Sequence, residues 1–246
     1  MIAALILGRK GSKGFPGKNT SSVLGHPMAW YPMRTAKAVN EIDRIFLSTD
    51  DPVLMQIADD LNVEIIERPK HLADDNALGD DAYVHGYEEI RKREKRDIEL
   101  VVLLFCNAAT ITTKGIREGI TWLRENSTFD SAVTVSRYNM WSPIRARKLE
   151  SDGSLKPFVP FDVFGDPQFI NCDRDSMGDV WFADMGCSVV RPKCLENLDS
   201  GLLPQKWMGQ KIAPIIQEAG FDVDYEWQLP LLEWWLKIFW DVPIDE

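Results

Sequence analysis

The sequence predicts an α/β fold, a doubly wound and mostly parallel sheet covered by helices. Short apolar runs rich in β-branched residues alternate, along the first half of the chain, with segments whose apolar residues recur near helical spacing. This alternation is typical of strands joined by right-handed crossovers in one sheet. The composition, with 45% hydrophobic and 27% charged residues, is that of a globular protein and excludes disordered and fibrous classes.

Five apolar runs predict buried parallel strands because they are short and rich in β-branched residues. They are residues 2–7, 44–48, 63–67, 100–105 and 131–135. The segments between them predict helices, and two of these carry proline in the first turn, where its missing N–H is tolerated. They are residues 27–39, 52–61, 80–96 and 112–126.

The alternation stops near Tyr138. Residues 138–180 contain four prolines and the turn-forming pair Asp152-Gly153, with no helical pattern. They predict an inserted arm, built as a β-hairpin with irregular flanks. Two further strands, at 181–190 and 212–217, precede a final helix at 226–240. That helix is apolar on nearly every side, which indicates either deep embedding or a contact with another subunit.

The charge of the chain is unevenly distributed. Residues 1–40 carry six lysines and arginines and no acid, although the formal net charge of the protein is −10. The acidic total argues against nucleic-acid binding, because affinity for a polyanion requires many neutralised phosphates. The short basic segment suits one small anion.

No targeting signal, zinc site or disulfide framework is evident in the sequence. The early apolar run has six residues and no basic segment before it, too short for a signal peptide core or a membrane span, so we expect a cytoplasmic protein that does not enter a membrane. The four cysteines form no CxxC pair and the three histidines are scattered. Both observations favour reduced structural thiols over zinc ligands or disulfides.

A glycine-rich basic loop directly follows the first predicted strand. Ligands of open α/β sheets bind beyond the carboxyl ends of the strands, where this loop lies. Its glycines permit close approach of the backbone to an anion, and its cations supply donors. The loop has neither the Walker nor the GxGxxG spacing. Its charged residues are Arg9, Lys10, Lys13 and Lys18, and its glycines are Gly8, Gly11, Gly14 and Gly17.

The loop resembles the signature RxxSKGxPxKN of the CMP-sialic acid synthetase family, the acylneuraminate cytidylyltransferases, which is present as residues 9–19. Further similarities follow in order along the chain: Asp43-Arg44-Ile45 to Asp50, Arg68-Pro69 to Asp74, Ile116-Arg117-Glu118, and Phe221 to Glu226. The resemblance covers nearly the whole chain. It implies one Rossmann-like nucleotidyltransferase domain over residues 1–246, with the arm at 138–180 exchanged between the subunits of a homodimer.

The resemblance also implies an activity and a set of nucleotide contacts. Enzymes of this family join CTP to a 2-keto-3-deoxy sugar acid, such as a sialic, legionaminic or pseudaminic acid, and release pyrophosphate. The matching positions imply catalytic roles for Arg9 and Lys18, with Arg68 and Asn19 directed toward ribose and base. The full set of expected nucleotide contacts is Arg9, Gly11, Ser12, Lys13, Gly14, Lys18, Asn19 and Arg68.

Asp222 and Asp224 form the closing aspartate pair of the resemblance. They are two residues apart on a short predicted strand, so both carboxylates would lie on one face. Mg²⁺ commonly binds through one or two carboxylates together with substrate phosphates. We therefore expect these two residues to be catalytic and to hold Mg²⁺.

The acceptor site departs from the family. Where the family has Gln and Arg after the fourth strand, this chain has Phe105 and Ile111, so both positions lose polar groups and ordinary N-acetylneuraminate is disfavoured. Asn107 and Thr110 remain as polar candidates. In the matching arm segments, Arg145 and Arg174 are expected to bind a sugar carboxylate.

Three alternatives stay open at the level of the sequence. The acceptor could be an octulosonic acid or a phosphonate. The aspartate pair could instead belong to a metal-dependent glycosyltransferase that uses a nucleotide sugar, although such enzymes do not need the basic loop. A protein that binds the nucleotide without catalysis would release no pyrophosphate.

Overall fold

A seven-stranded sheet runs through the centre of the protein. The computed structural model describes residues 1–11, 14–74, 76–171, 173 and 178–243. The strands are β1 (Ile2–Leu7), β2 (Ser22–Val23), β3 (His26–Pro27), β4 (Arg44–Thr49), β5 (Glu64–Glu67), β6 (Leu100–Phe105), β7 (Ser131–Arg137), β8 (Arg147–Leu149), β9 (Leu155–Pro157), β10 (Trp181–Val190) and β11 (Ile212–Ile216). The α-helices are α1 (Trp30–Lys37), α2 (Pro52–Asp60), α3 (Gly79–Arg93), α4 (Thr113–Glu125), α5 (Pro192–Glu196) and α6 (Leu229–Phe239).

The strand order of this sheet is β11-β7-β10-β6-β1-β4-β5. β1 lies between β4 and β6 and is parallel to both. β10 is antiparallel to its neighbours β6 and β7, because the chain enters it from the arm and not through a crossover helix. The predicted mostly parallel α/β fold is confirmed, with β10 as the strand that makes the sheet mixed.

Two hydrophobic cores lie on opposite faces of the sheet. Successive side chains of β1 point to opposite faces, so Ala4 and Ile6 join a core with α1, α2 and α4, while Leu5 packs against α3 on the other side. Gly86 in α3 allows this contact, since a Cβ there would lie 2.7 Å from Leu5 Cδ2. The doubly wound arrangement follows from this burial on both faces.

The arm contains the predicted hairpin. β8 and β9 pair antiparallel, with Lys148 opposite Lys156, and short 3₁₀ turns flank them. Many apolar side chains of this region are exposed in the single chain. They are Met140, Trp141, Leu149, Leu155, Phe158, Val163 and Phe169.

The final helix is only half embedded. Its residues Leu232, Trp235 and Leu236 are buried, whereas Leu231 and Trp234 are exposed. The helix is therefore not embedded on every side, and the prediction of deep embedding is wrong. Within the described residues, no helix combines the length and the apolar character needed to cross a membrane.

Three of the four cysteines are buried free thiols. They are Cys106, Cys187 and Cys194, and Cys172 lies outside the described residues. Burial raises the pKa of the Cys106 thiol to about 12, so it stays protonated near neutral pH. The described cysteines thus have the structural character that the sequence predicts.

Candidate functional site

A cavity of about 390 Å³ opens where β1 and β6 end, at the carboxyl edge of the sheet. This is the place at which open α/β sheets bind ligands, and the glycine-rich loop forms one wall of it. The residues that line it are Leu7, Gly8, Arg9, Gly14, Lys18, Asn19, Arg68, Leu72, Ala77, Leu78, Gly79, Ala82, Phe105, Asn107, Asp224 and Tyr225.

The first part of the loop is fixed against neighbouring strands. Gly8 is required there because a Cβ would lie 2.6 Å from Cys106 Sγ. The Arg9 guanidinium donates to the Ala73 carbonyl at 3.2 Å, and the Lys10 N–H donates to Asp50 Oδ1 at 2.8 Å. Arg9 thus reaches the cavity from a backbone that is held in place.

The loop meets the closing segment of the chain at Asp224. Lys18 Nζ lies 2.6 Å from Asp224 Oδ1. A Cβ on Gly14 would lie 3.0 Å from the Asp224 carbonyl oxygen, so this backbone contact favours glycine. The predicted nucleotide residues Gly14 and Lys18 and the predicted metal ligand Asp224 therefore line one cavity.

Arg68 and Asn19 form a buried polar side of the cavity. Arg68 is 6% exposed and donates from Nη2 to the Ser48 carbonyl at 2.6 Å, and no carboxylate in the described part of the chain forms an ion pair with it. Burial lowers the pKa of its guanidinium. Asn19 donates to the Arg9 carbonyl at 3.3 Å, while its buried Oδ1 has no partner among the described residues. Both side chains can therefore bind a further polar group.

Three of the predicted nucleotide residues are not placed in the cavity. Gly11 is exposed, has a φ of 78° and is not part of the lining. Ser12 and Lys13 lie outside the described residues.

Asp222 does not line the cavity itself but contacts the cavity residue Asn107. The Asn107 amide donates to Asp222 Oδ2 at 3.2 Å and to the Val223 carbonyl at 3.1 Å. Burial, and then the charge of Asp224, raise the pKa of the Asp222 carboxyl. A divalent cation would relieve this repulsion, and two neighbouring carboxylates, one of them in the cavity wall, are a donor set that Mg²⁺ accepts. The described residues contain no group of three or more His, Cys, Asp or Glu suited to a metal.

The strand predicted for the aspartate pair is wrong. Residues 221–224 form no strand in the structure. One backbone hydrogen bond, from the Val223 N–H to the Asn107 carbonyl at 2.8 Å, joins them to the loop after β6, and side chains satisfy other backbone groups. Without a neighbouring strand there is no ladder to impose regular alternation.

The loop after β6 divides the predicted acceptor residues. Phe105 and Asn107 line the cavity, with the Phe105 ring 5.2 Å from Tyr83 and 6.0 Å from Trp207. Thr110 is fully buried, and its hydroxyl accepts from the Phe221 N–H at 2.9 Å, so this candidate contacts the protein itself. Ile111 is part of the hydrophobic core.

Of the two arm arginines expected to bind the acceptor, the one within the described residues does not line the cavity. Arg145 lies in the 3₁₀ turn Pro143–Arg145 and is absent from the cavity lining. Arg174 lies outside the described residues.

Sequence reasoning missed one wall of the cavity. Its residues are Leu72, Ala77, Leu78, Gly79, Ala82 and Tyr225. Small and apolar residues at the start of a helix carry no chemical signal of their own. Those from Ala77 to Ala82 lie at the N-terminus of α3, whereas Leu72 precedes this helix and Tyr225 follows the aspartate pair. That these segments meet at one cavity becomes evident only when the strands are assembled.

Residues 3–137 match the family model described as cytidylyltransferase, which is more than half of the chain. The chain belongs to the cytidylyltransferase family. The family model ends at the last residue of β7 and includes the basic loop, Arg68, Phe105 and Asn107, but not the aspartate pair.

Curated relatives of this cytidylyltransferase extend the likeness. A pseudaminic acid cytidylyltransferase and UDP-2,4-diacetamido-2,4,6-trideoxy-beta-L-altropyranose hydrolase of Helicobacter pylori is 28% identical over 149 residues, 60% of this chain and 28% of that protein. An N-acylneuraminate cytidylyltransferase of Oncorhynchus mykiss is 33% identical over 229 residues, 92% of this chain and 48% of that protein. The chain thus spans less than half the length of these relatives.

Solved structures confirm the fold. A CMP:2-keto-3-deoxy-manno-octonic acid synthetase complexed with CTP superimposes with a TM-score of 0.65 and 16% identity, over 96% of this chain and 98% of that one.

Proposed function

We propose that this cytidylyltransferase transfers CMP from CTP to the anomeric hydroxyl of a 2-keto-3-deoxy sugar acid and releases pyrophosphate. The observation that carries the proposal is the single cavity in which Arg9 and Lys18 face Asp224 at the carboxyl edge of the sheet. A triphosphate needs cations on one side and, for its metal, carboxylates on the other. Family membership and the names of the relatives support the same reaction.

The reaction makes one bond to phosphorus and breaks another. The anomeric oxygen attacks the α-phosphorus of CTP, the hydroxyl proton is lost, and the bond from the α-phosphorus to the oxygen bridging to the β-phosphorus breaks. Arg9 and Lys18 would stabilise the charge on the phosphates, since catalysis of this class rests mainly on positioning and electrostatics. Lys18, now paired with Asp224, would exchange part of that contact for the triphosphate.

The nucleoside would bind against Arg68 and Asn19. The buried Arg68 donors suit the ribose oxygens, and the unpartnered Asn19 Oδ1 suits an amino group such as that of cytosine. Backbone groups around Gly14 would lie close to the phosphates because no side chain separates them.

Asp222 and Asp224 would hold Mg²⁺. When bound, this ion neutralises phosphate charge and helps to hold the reacting oxygens in line. The assignment is supported by the position of Asp224 in the cavity wall and by the hydrogen bond that joins Asp222, two residues away, to the cavity residue Asn107. Asn107 would orient the Asp222 carboxylate through its amide.

The acceptor would be a nonulosonic acid of the sialic, legionaminic or pseudaminic kind, with an octulosonic acid or a phosphonate as the alternative. The named relatives favour nonulosonic acids. Phe105 lies in the cavity wall with Leu72 and Leu78, so the acceptor should carry an apolar substituent where the family's glutamine would require a polar one. Asn107 remains the polar contact.

The protein would work in the cytoplasm as a homodimer. Its arm would reach the partner's cavity, and Arg145 and Arg174 would bind the sugar carboxylate there. The exposed apolar side chains of the arm support a protein contact at this surface.

One assay tests the proposed function. The protein is incubated with each nucleoside triphosphate, Mg²⁺ and a panel of ulosonic acids and phosphonates, and pyrophosphate is measured while mass spectrometry identifies the product. We expect pyrophosphate and a CMP-linked acid with CTP and at least one nonulosonic acid. The proposal would be contradicted if none of the acids in the panel caused CTP to release pyrophosphate.

A further inference from the structure

The segment that carries Asp222 and Asp224 is held by side chains and not by the sheet. After β11 ends, the Gly220 N–H donates to Ser136 Oγ at 2.8 Å, and Tyr138 donates from its hydroxyl to the Gly220 carbonyl at 2.9 Å. Thr110 holds Phe221 in the same way. The positions of the two carboxylates therefore depend on the hydrogen bonds of residues 217–221, a few residues upstream.

Asp184 on β10 lies at the centre of these hydrogen bonds. It is 5% exposed, and one of its oxygens, Oδ2, accepts from Ser136 Oγ at 2.7 Å and from Gln217 Nε2 at 3.0 Å. No lysine or arginine forms an ion pair with it in the described part of the chain. A buried carboxylate held only by neutral donors costs stability relative to an apolar residue, so its presence calls for a reason beyond packing.

Asp184 decides which way the Ser136 hydroxyl points. A serine hydroxyl has one proton and two lone pairs. The carboxylate takes the proton because the bond is short and charge-assisted, in preference to the Gln217 carbonyl at 3.2 Å. The lone pairs are then left for the Gly220 N–H. Without the carboxylate the hydroxyl is no longer fixed in this orientation, and its contact with the Gly220 N–H should weaken.

Backbone strain supports the same interpretation. Met185, next to Asp184, has a φ of 65°, and Ala219, next to Gly220, has a φ of 50°. Residues with side chains occupy this left-handed region at a cost and persist there when surrounding contacts hold them. A Cβ on Gly220 would lie 2.5 Å from Asp184 Oδ2, so the two segments are in direct contact.

We propose that Asp184 is a positioning residue that acts through Ser136 and Gln217 to fix residues 217–224. It thereby places the carboxylates of Asp222 and Asp224 for a Mg²⁺-triphosphate, and in this it rests on the proposed function. Asp184 itself touches neither substrate nor metal.

The test measures metal binding directly. Binding of Mn²⁺ in the presence of CTP is followed by electron paramagnetic resonance for the wild type, Asp184→Ala, Asp184→Asn and Ser136→Ala. We expect Asp184→Ala to raise the Mn²⁺ dissociation constant about tenfold, as loss of residues that orient metal ligands does. Asp184→Asn keeps one carbonyl oxygen and should lose less. CTP affinity without metal should stay within about twofold, since the basic loop is unchanged.

Asp130→Ala is the matched control. Asp130 likewise accepts two hydrogen bonds through one carboxylate oxygen, here from the backbone N–H groups of Gln210 and Lys211 at 2.8 and 2.9 Å, and it also pairs with Lys193, but it lies just before β7, at the opposite end of the sheet. It should lower the melting temperature and leave Mn²⁺ binding unchanged. Equal weakening by Asp130→Ala, or wild-type binding by Asp184→Ala, overturns the proposal.

Folding and function remain separable in this design. If Asp184→Ala does not fold, Ser136→Ala decides by the same two outcomes, because it removes the acceptor of the Gly220 N–H. If the wild type with CTP binds no Mn²⁺, the metal part of the proposed function fails. If the wild type binds it and the variants do so equally well, only the role of Asp184 fails.

Discussion

An ion pair between Lys18 and Asp224 joins the basic loop to the segment that carries the aspartate pair. One belongs to the loop after β1 and the other to the segment after β11, and they are 206 positions apart. Each alone is an ordinary surface charge, and an exposed pair of this kind adds little to stability. Its value lies in placing a cation and a carboxylate at the same cavity.

At this scale the first prediction concerns catalysis. Arg9→Ala and Asp222→Asn should each lower kcat on the order of a hundredfold, because the first removes a cation that would stabilise the phosphate charge and the second weakens the carboxylate pair that would hold Mg²⁺. Steady-state pyrophosphate release checks this. Lys10→Ala is the control, since Lys10 is a neighbouring cation that does not line the cavity. Near-normal turnover in either variant would remove that residue from the mechanism.

A second prediction concerns Asp43, which fastens β1 to the start of β4. Its carboxylate accepts from the Ile2 N–H at 2.7 Å, and this bond, aided by Arg96, lowers the pKa of the carboxyl. A lowered pKa stabilises the fold above the ordinary carboxyl range, and this contribution is lost as the pH falls through the folded-state value.

Asp43→Asn should therefore lower the free energy of unfolding at pH 7 by about 1 kcal/mol, a charged hydrogen bond discounted for a side chain that is partly exposed. The difference should vanish in acid. Urea unfolding at several pH values measures it, and a constant difference down to the acid end would contradict this account.

At the scale of elements, helix α3 packs too closely on β1 for any side chain at Gly86. Alanine normally stabilises a helix relative to glycine, but here its Cβ would lie 2.7 Å from Leu5 Cδ2. Gly86→Ala should lower the free energy of unfolding by roughly 1–3 kcal/mol. Denaturant unfolding measures the change. The double variant Gly86→Ala with Leu5→Ala should lose less free energy of unfolding than the sum of the losses of the two single variants. A Gly86→Ala variant that is more stable than the wild type would refute the contact.

The sequence predicts some elements better than others for a physical reason. β1 and β6 have the predicted bounds because each is a continuous apolar run buried in the sheet, and β10 also has them, although its first three residues are exposed. The segment 221–224 has a strand-like sequence and no strand beside it. The direction of β10 depends on the path of the arm, which carries no periodic signal.

The site divides in the same way. The basic loop is found from the sequence because its charge and glycine content mark it, and Asp224 is found because its segment resembles the closing motif of the family. The role of Thr110 as an anchor of Phe221 depends on contacts between positions 111 apart, and neither residue type announces it.

At the scale of the whole molecule, the exposed apolar arm predicts a homodimer. Light scattering should give the mass of two chains, because a surface of this kind is costly to leave in water. Phe158→Glu, on the arm, should shift the mass toward one chain, while Val53→Glu, at an exposed site on α2, should not. A stable and fully active monomer in the wild type would defeat the shared arm.

The proposed reaction at this cavity transfers the α-phosphorus of CTP to a sugar acid. Phosphorus-31 NMR of a reaction with CTP, Mg²⁺ and a nonulosonic acid follows that atom directly. We expect the α-phosphorus signal to move to that of a phosphodiester while pyrophosphate appears in equal amount, and both changes should require the acid. CTP that stays intact with every acid, or that breaks down equally without one, would contradict it.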